Sequence, residues 1–209
     1  MLIKIHNLIK HFQLKITGIL HIGAHECEEM EDYINVGVMK DKIYWVEAMP
    51  DKINFCRARY GAGLNIYSAV IDEQNDKKVT FNITNNGQSS SILEFGSHAT
   101  SHPQVHIIDK VEMTTTRLDR LIEHEHIPIS QLNFLNLDIQ GVELRALKSM
   151  EKYLQHVNYI YTEVNTEQVY KDCNLIGEID DYLREFGFVR VAQQIYKEYG
   201  WGDAFYMKK

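Results

Sequence analysis

The alternation of short apolar runs with helical stretches constrains the fold of this 209-residue chain more than any other feature. Apolar runs rich in β-branched and aromatic residues occur at 18–22, 43–46, 66–71, 134–137 and 159–164. Such runs are typical of parallel strands that helices cover on both faces. The spacing of apolar residues predicts helices at about 2–12 and at 28–35, 51–60, 142–154 and 176–186.

The end of the chain has a different pattern. Two β-like segments, 188–191 and 204–207, have no helix between them and are joined through Gly200 and Gly202. They predict an antiparallel pair that completes the sheet. We therefore expect an α/β fold with a seven-stranded sheet, mostly parallel with a C-terminal antiparallel strand and with helices on both faces. This layout is that of the Rossmann-like class I methyltransferase fold.

The segment from about 72 to 129 does not follow the alternation. It contains two short β-like runs, 79–83 and 111–115, within polar loops. Loops that extend from a rigid scaffold commonly carry specificity, so we interpret this segment as a substrate-side insertion. No linker divides the chain, and residues 1–209 are expected to form one domain.

Composition narrows the classes of partner. The 22 Lys and Arg against 29 Asp and Glu give a formal charge of −7, which argues against an extended phosphate-binding surface and hence against a nucleic-acid partner. The three scattered cysteines do not suggest a disulfide framework or a structural zinc site, and they favour a reducing, cytoplasmic location. No apolar run reaches 18 residues, so no membrane span is expected.

The first strand is followed by a turn of small residues, in the sequence LHIGAHECEE at 20–29. Gly23 allows a tight turn and Ala24 leaves space, so a cofactor could approach the carboxyl end of the strand. A tight turn without a ligand is the alternative. Three glutamates close to this turn would repel a pyrophosphate but tolerate a cationic cofactor; they are Glu26, Glu28 and Glu29.

Polar side chains follow three further strands. Glu47 lies 24 residues after Gly23, a spacing that suits a carboxylate accepting both ribose hydroxyls of an adenosine. Asp138 ends the fourth strand, and Glu163 and Asn165 end the fifth. Each could instead be a surface charge or a helix cap. Asp138, Glu163 and Asn165 are also oxygen donors that would suit Mg²⁺ or Mn²⁺.

Several of these motifs together resemble the FkbM-type methyltransferase family, from about residue 18 to the C-terminus. They are GAH, VEAMP, the serines at 89–91, TRLD, LNLDIQGVE, YTEVN and CNLIGEIDDYLREFGF. The resemblance implies S-adenosylmethionine as cofactor and methylation of hydroxyl oxygens, often on sugars. It also implies which residues line the cofactor; these are His21, Gly23, Ala24, His25, Glu47, Ala48, Ala69 and Asp138.

The chain departs from the family pattern at three positions of the first turn. The family commonly has Asp at the position of His21, Asn near His25 and Gly at the position of Cys27. The two histidines either replace the lost cofactor contacts or are partly exposed polar residues. Cys27 puts the closest approach of the backbone to the cofactor in question.

The sequence thus predicts an O-methyltransferase that acts on a sugar hydroxyl of a glycan, for example a terminal deoxyhexose such as rhamnose. Asp138 is the expected base, or the group that orients the hydroxyl, with Glu163 in reserve. The expected substrate-binding residues are Ser89, Ser90, Ser91 and Asn165.

Three other functions stay open from the sequence alone. One is a metal-dependent O-methyltransferase of a glycosylated small molecule, and another is a non-catalytic domain that retains a cofactor pocket. The third, a nucleotide-sugar or dinucleotide enzyme, is disfavoured by the glutamates of the first turn. Analogy with the family also leaves open that the chain is one module of a larger glycan-assembly protein.

Overall fold

A computed structural model describes residues 1–209. Along the chain, the elements are α1 (Ile5–Phe12), β1 (Ile19–Ile22), α2 (Met30–Asn35), β2 (Ile43–Glu47), α3 (Pro50–Tyr60), β3 (Ile66–Ser68), β4 (Val70–Ile71), β5 (Lys78–Thr84), α4 (His98–Ser101), β6 (Ile107–Thr116), α5 (Leu118–His124), β7 (Phe134–Leu137), α6 (Glu143–Ser149), β8 (Tyr159–Asn165), α7 (Ile176–Glu185), β9 (Phe188–Tyr196) and β10 (Trp201–Lys208).

The main sheet has seven strands in the order β3-β2-β1-β7-β8-β10-β9. Neighbouring strands are parallel from β3 through β8, and β10 is antiparallel to both of its neighbours. Ile22 is in register with Val46 on one side and with Leu137 on the other. The carboxyl ends of the parallel strands therefore lie along one edge of the sheet. The predicted α/β fold class is confirmed.

Side chains of the central strands alternate between two cores. In β7, Leu135 and Leu137 belong to a cluster with residues of α5, α6 and α7, whereas Phe134 belongs to a cluster on the opposite face with residues of α1, α2 and α3. All four residues of β7 are buried. Because both faces are covered, the apolar runs carry no regular polar alternation, and this is the pattern that identified the strands from sequence.

The run at 66–71, expected as one strand, is divided between two sheets. β3 pairs with β2 in the main sheet, whereas β4 pairs with β6 in a second, three-stranded sheet of order β4-β6-β5. Ala69 lies at the break, where its N–H donates to the backbone oxygen of Glu47 at 3.0 Å. Both halves of the run are apolar because each is buried in its own sheet, so composition alone does not reveal the break.

The helices differ from the prediction mainly at their ends. The helix expected at 142–154 ends at Ser149 and is followed by a 3₁₀ turn, Glu151–His156. The helices expected to begin at about 2 and at 28 begin at Ile5 and Met30. The strands expected at 79–83 and 111–115 are parts of the longer β5 and β6. None of the helices has the length and apolar character needed to cross a membrane.

Candidate functional site

A cavity of about 440 Å³ lies at the carboxyl edge of the main sheet. The ends of β1, β2, β7 and β8 line it, together with the loop at 86–92 and residues of α4. Most of the residues selected from sequence line this cavity: His21, Gly23, His25, Glu47, Ala48, Ala69, Ser89, Ser90, Ser91, Asp138 and Glu163. Ala24 and Asn165 do not line it.

The turn after β1 requires glycine at position 23 for two independent reasons. Gly23 has φ +90°, a conformation that side chains disfavour, and a Cβ atom there would lie 1.8 Å from the backbone oxygen of Asp138. The N–H groups of Gly23 and Ala24 both donate to the oxygen of Val46, at 2.9 and 3.0 Å. The turn is thereby held between β2 and β7, with the small side chain of Ala24 buried beneath it.

Glu47 joins the turns that follow β1 and β2. Its Oε2 accepts the N–H of His25 at 2.7 Å and its Oε1 accepts the N–H of Met49 at 2.9 Å. Burial raises the pKa of this carboxyl, and the two backbone donors oppose that effect. A carboxylate offers about four acceptor positions, so two remain for a ligand's hydroxyl groups. Glu47 can therefore position the turn and bind a diol at the same time.

Two of the residues that depart from the family pattern have left-handed backbone. His25 has φ +43° and Cys27 has φ +53°, a region that favours Asn and Gly. The turn thus keeps the backbone conformation for which the family residues are suited. The Cys27 side chain is fully buried in the core beneath the turn and does not line the cavity.

His21 occupies a packed position at the end of β1. The side chain is buried, stacks on Trp45 with ring centroids 4.7 Å apart, and contacts the hydroxyl of Tyr33 through Nδ1 at 3.1 Å. Burial lowers its pKa, so the ring is neutral at pH 7. A neutral imidazole cannot supply the negative charge of the Asp that the family commonly has at this position.

A bridge of hydrogen bonds joins Asp138 to Glu163. The Nε2 group of Gln140 donates to Asp138 Oδ1 at 2.6 Å and to Glu163 Oε2 at 2.7 Å. The hydroxyl of Tyr170 donates to Gln140 Oε1 at 2.5 Å, and the hydroxyl of Ser91 donates to the backbone oxygen of Gln140 at 2.8 Å. The sequence analysis selected neither Gln140 nor Tyr170. The sequence feature that could have identified Gln140 is its position between Asp138, which follows β7, and Gly141, which precedes α6.

The two bridged carboxyl groups have different environments. Glu163 is 6% exposed, whereas Asp138 is open to the cavity. Burial, together with the nearby carboxyls of Asp138 and Glu143, raises the pKa of Glu163 well above its usual range. These surroundings favour the protonated form of Glu163, and of the two groups Asp138, which is open to the cavity, is the one placed to accept a proton from a ligand.

Glu143 lies behind this pair and holds the loop that follows β7. Its Oε1 accepts the N–H groups of Ile139 and Gly141 at 3.0 and 3.1 Å. Only 1% of the residue is exposed. Burial raises the pKa of this carboxyl to about 7, although the backbone donors act in the opposite direction.

The cavity is strongly asymmetric in charge. No lysine or arginine lines it, whereas six carboxyl residues do: Glu28, Glu29, Glu47, Asp138, Glu163 and Asp203. Charges in a partly enclosed cleft interact more strongly than they would in water. The site therefore favours a cationic ligand and disfavours phosphate or carboxylate groups.

Of the three oxygen donors considered for a metal, Asp138 and Glu163 lie close together at the cavity, whereas Asn165 does not line it. Asn165 is fully buried, and neither atom of its side-chain amide has a hydrogen-bond partner. No group of three or more His, Cys, Asp or Glu side chains has an arrangement that could hold a metal ion.

The three serines contribute hydroxyl groups to the side of the cavity opposite the strand ends. Ser90 Oγ accepts the N–H of Thr84 at 3.1 Å, and Ser89 Oγ accepts the Nδ2 group of Asn86 at 3.0 Å. Together with the contact from Ser91 to Gln140, these bonds fix the loop over the strand ends. The loop presents neutral polar groups to the cavity.

Comparisons with known proteins agree with this geometry. A family model, the methyltransferase FkbM domain, matches residues 21–190. No curated protein matches the chain. The fold is similar to that of the magnesium protoporphyrin IX methyltransferase from Synechocystis PCC 6803 with bound SAH, with a TM-score of 0.53 and 7% identity over 98% of this chain and 80% of that one.

A second similar structure is a putative tRNA (m1A22) methyltransferase from Streptococcus pneumoniae. It has a TM-score of 0.52 and 13% identity, over 100% of this chain and 71% of that one. The Synechocystis protein was also solved with bound SAM, and that structure gives a TM-score of 0.52 at 8% identity over 98% of this chain and 76% of that one. Identities this low show a common fold.

We expect Gly23→Ala to lower the free energy of unfolding by more than about 3 kcal/mol, because the new Cβ would clash with the backbone of Asp138 in a left-handed turn. Gly177→Ala is the matched control, since a Cβ there meets no atom within 4 Å and the residue is helical. The control should raise stability by about 0.4–1 kcal/mol. Chemical denaturation measures both, and equal stabilities would contradict the close-approach argument.

We expect the Glu143 carboxyl to lower stability as the pH rises. Its pKa is about 7 in the fold against an ordinary value of 4.5, so the folded state holds the proton more tightly and loses stability between these pH values. Glu143→Gln keeps an oxygen for the two backbone donors and removes the titration. The variant should therefore gain stability relative to the wild type from pH 4.5 to 7.

Denaturant titrations at several pH values test this expectation. Glu185→Gln, at the exposed end of α7, is the control and should keep the wild-type dependence on pH. Parallel curves for the wild type and Glu143→Gln would show that Glu143 does not titrate in this range.

Proposed function

The chain belongs to the methyltransferase FkbM domain family and is an S-adenosylmethionine-dependent methyltransferase, and we propose that it methylates a sugar hydroxyl of a glycan, such as that of a terminal deoxyhexose like rhamnose. The observation that carries this proposal is the cavity at the strand ends, which is lined by carboxyl residues and by no lysine or arginine. We propose that the methyl group is transferred to oxygen, that the acceptor is a saccharide, and that individual residues have the roles given below.

The residues at the strand ends suit the cofactor. S-adenosylmethionine bears a positively charged sulfur, and when bound it supplies the methyl group that is transferred. The carboxyl residues of the cavity offset that positive charge. Gly23 keeps a side chain out of the space beside β7, and Glu47 has acceptor positions left for the ribose hydroxyls.

We assign cofactor binding to a group of residues along the edge of the sheet. Glu47 binds the ribose, and Ala69, at the break between β3 and β4, lies beside the adenine. The side chain of Ala24 is buried in the core and does not line the cavity. We therefore assign Ala24 an indirect role, which is to support the turn beside the cofactor from below. The remaining cofactor residues are His21, Gly23, His25, Ala48 and Asp138, all of which line the cavity.

Asp138 is the proposed base. A sugar hydroxyl is a weak acid, so it becomes a better nucleophile when a carboxylate accepts its proton as the new bond forms; such assistance contributes about 10²–10⁴ in rate. Asp138 is open to the cavity, and the Gln140 side chain fixes its Oδ1. Burial and the neighbouring carboxyls raise the pKa of Glu163, which favours its protonated form, so we do not assign Glu163 as the base.

The acceptor is expected to be neutral. A phosphorylated or carboxylated sugar would meet the carboxyl groups of the cavity, which is lined by no lysine or arginine. The loop that carries Ser89, Ser90 and Ser91 supplies neutral hydrogen-bonding groups instead. We propose that residues 72–129 act as a substrate-side insertion of a single domain and that this loop contributes to acceptor binding.

We expect Glu47→Gln to weaken binding of S-adenosylhomocysteine at least about tenfold, because hydrogen bonds to a charged group contribute about 1.5–3 kcal/mol. The new amide would also face one of the two backbone donors that Glu47 now accepts. Calorimetric titration measures the affinity, with Glu185→Gln as the exposed control. Wild-type affinity in Glu47→Gln would remove the ribose role, and no binding by the wild type would refute the proposed function.

We expect Asp138→Asn to reduce methyl transfer about 10²–10⁴-fold, because the amide cannot accept the hydroxyl proton. Binding of S-adenosylhomocysteine should weaken far less, by about tenfold at most, because the variant keeps the oxygen that Gln140 contacts and the other cofactor residues are unchanged. The assay follows radioactive methyl transfer from S-adenosylmethionine to methyl α-L-rhamnoside and related neutral methyl glycosides. Asp41→Asn, on an exposed turn, is the control.

Three results would change this assignment. Undiminished transfer by Asp138→Asn would exclude Asp138 as the base. Loss of wild-type transfer after exhaustive chelation would favour a metal-dependent reaction. Tight cofactor binding without transfer to any glycoside would favour a non-catalytic domain.

A further inference from the structure

One side of the cavity is formed by four aromatic side chains that the proposed reaction does not use, His98, His102, Tyr170 and Trp201, here called the aromatic wall. The ring centroid of His98 lies 5.0 Å from that of His102 and 5.5 Å from that of Tyr170. Trp201 packs against the small cluster that contains Tyr170. The rings of His98, His102 and Tyr170 thus lie side by side, with Trp201 packed nearby. Because Tyr170 and His98 are only 1% and 6% exposed, His102 and Trp201 provide the accessible part of the wall.

Further aromatic side chains support the wall from behind. Phe95 stacks on His98 with centroids 4.3 Å apart, and Tyr199 lies 4.7 Å from His102. Because these rings already have partners, the faces that border the cavity are held in position. A surface held in this way binds a ring without first having to order itself.

The backbone beneath the wall is also fixed. The N–H groups of Gly96 and His98 donate to the oxygen of Val169 at 2.9 and 3.1 Å, and the N–H of Ser97 donates to that of Gln168 at 2.9 Å. A Cβ at position 96 would lie 2.0 Å from the oxygen of Gln168, so the two segments approach as closely as glycine permits. The insertion and the loop after β8 therefore form one rigid surface.

The aromatic wall adjoins the bridged carboxyl pair. Trp201 and Asp203 lie on the same face of β10, because successive side chains of a strand alternate between its faces. Asp203 is directly opposite Glu163 in the sheet, and the hydroxyl of Tyr170 donates to Gln140. A ring bound against the wall would thus lie beside the residues proposed to act on its hydroxyl.

His98 adds a polar atom that has no partner. It is 6% exposed, and its Nδ1 atom makes no hydrogen bond in the protein. Burial lowers the pKa of this imidazole to about 4, so the ring carries no charge at neutral pH. A buried polar atom without a partner is destabilising, so this ring is held by packing against Phe95, His102 and Tyr170 and not by hydrogen bonds of Nδ1.

We propose that the aromatic wall is the acceptor subsite, which binds the apolar C–H face of a neutral saccharide ring by stacking on its accessible rings, His102 and Trp201. A pyranose has one face of C–H groups and a rim of hydroxyls, and C–H groups are attracted to the negative face of an aromatic ring. This inference rests on the proposed function, and it specifies where the sugar binds.

The charge of the cavity restricts the class of saccharide further. The wall contributes no lysine or arginine, and Asp203 and Glu163 lie next to it. A uronic acid or a sugar phosphate would therefore have to bury its charge beside carboxyl groups. Neutral sugars are the class that the subsite accepts.

Saturation-transfer NMR on the full chain with bound S-adenosylhomocysteine tests this subsite. The probes are methyl α-L-rhamnoside and methyl β-D-glucoside as neutral ligands and methyl β-D-glucuronoside as the anionic match of the glucoside. We expect transfer to the ring protons of a neutral glycoside and at least about tenfold weaker binding of the glucuronoside.

Variants of the wall test the residues. We expect Trp201→Leu and His102→Ala each to weaken binding of the neutral glycoside about tenfold, in line with the loss of one aromatic contact, and Trp201→Phe to retain most of it. Phe55→Leu, an exposed aromatic on α3 outside the cavity, is the matched control. Thermal unfolding and S-adenosylhomocysteine affinity are measured for every variant, so that a folding defect is distinguished from loss of the subsite.

The outcomes separate the inference from the function on which it rests. Saccharide binding that Trp201→Leu and His102→Ala leave unchanged would overturn the subsite while the proposed function stands. Preference for the glucuronoside would overturn the neutral class. A wild-type protein that binds neither cofactor product nor glycoside would refute both proposals.

Discussion

The structure of the site depends on one close approach, between the turn after β1 and the backbone that follows β7. The oxygen of Asp138 occupies the space where a side chain at position 23 would begin. The same turn is bonded to β2 through Val46 and Glu47. These contacts hold the ends of β1, β2 and β7 at fixed separations. They thereby also fix the relative positions of the side chains at those strand ends.

Several carboxyl groups share this small volume, and the structure contains specific means of tolerating them. Gln140 donates one hydrogen bond to each of two carboxyls, and burial and the proximity of other acids raise the pKa of Glu163. Glu143 and Glu47 are paired with backbone N–H groups. The negative potential that remains is directed into the cavity, where a cationic ligand offsets it.

Much of this arrangement follows from the sequence, because parallel strands bring their carboxyl ends to one edge. Gly23, Glu47 and Asp138 could be selected from strand-end positions alone, and the structure places all three along one cavity. Asn165 also ends a strand, but β10 pairs with β8 at that position and the amide is buried. Sequence position gives no sign of this, because the covering strand is formed by residues about 35 positions later.

The features that sequence could not provide depend on contacts between distant segments. The role of Gln140 requires a left-handed backbone together with partners 23 and 30 positions away. The aromatic wall combines residues of the insertion with the loop after β8 and with β10. Neither the motif around Asp138 nor the spacing of the histidines indicates that these groups are neighbours.

The position of β10 has a consequence for how the protein matures. Although it is the last strand of the chain, β10 is inserted between β8 and β9, and it brings Trp201 and Asp203 to the cavity. Asp203 also accepts the N–H of Leu2, 201 positions earlier. During synthesis on the ribosome, a nascent chain lacking β10 would have the early strands but an unfinished pocket. Acquisition of ligand-binding competence is therefore coupled to the synthesis of β10.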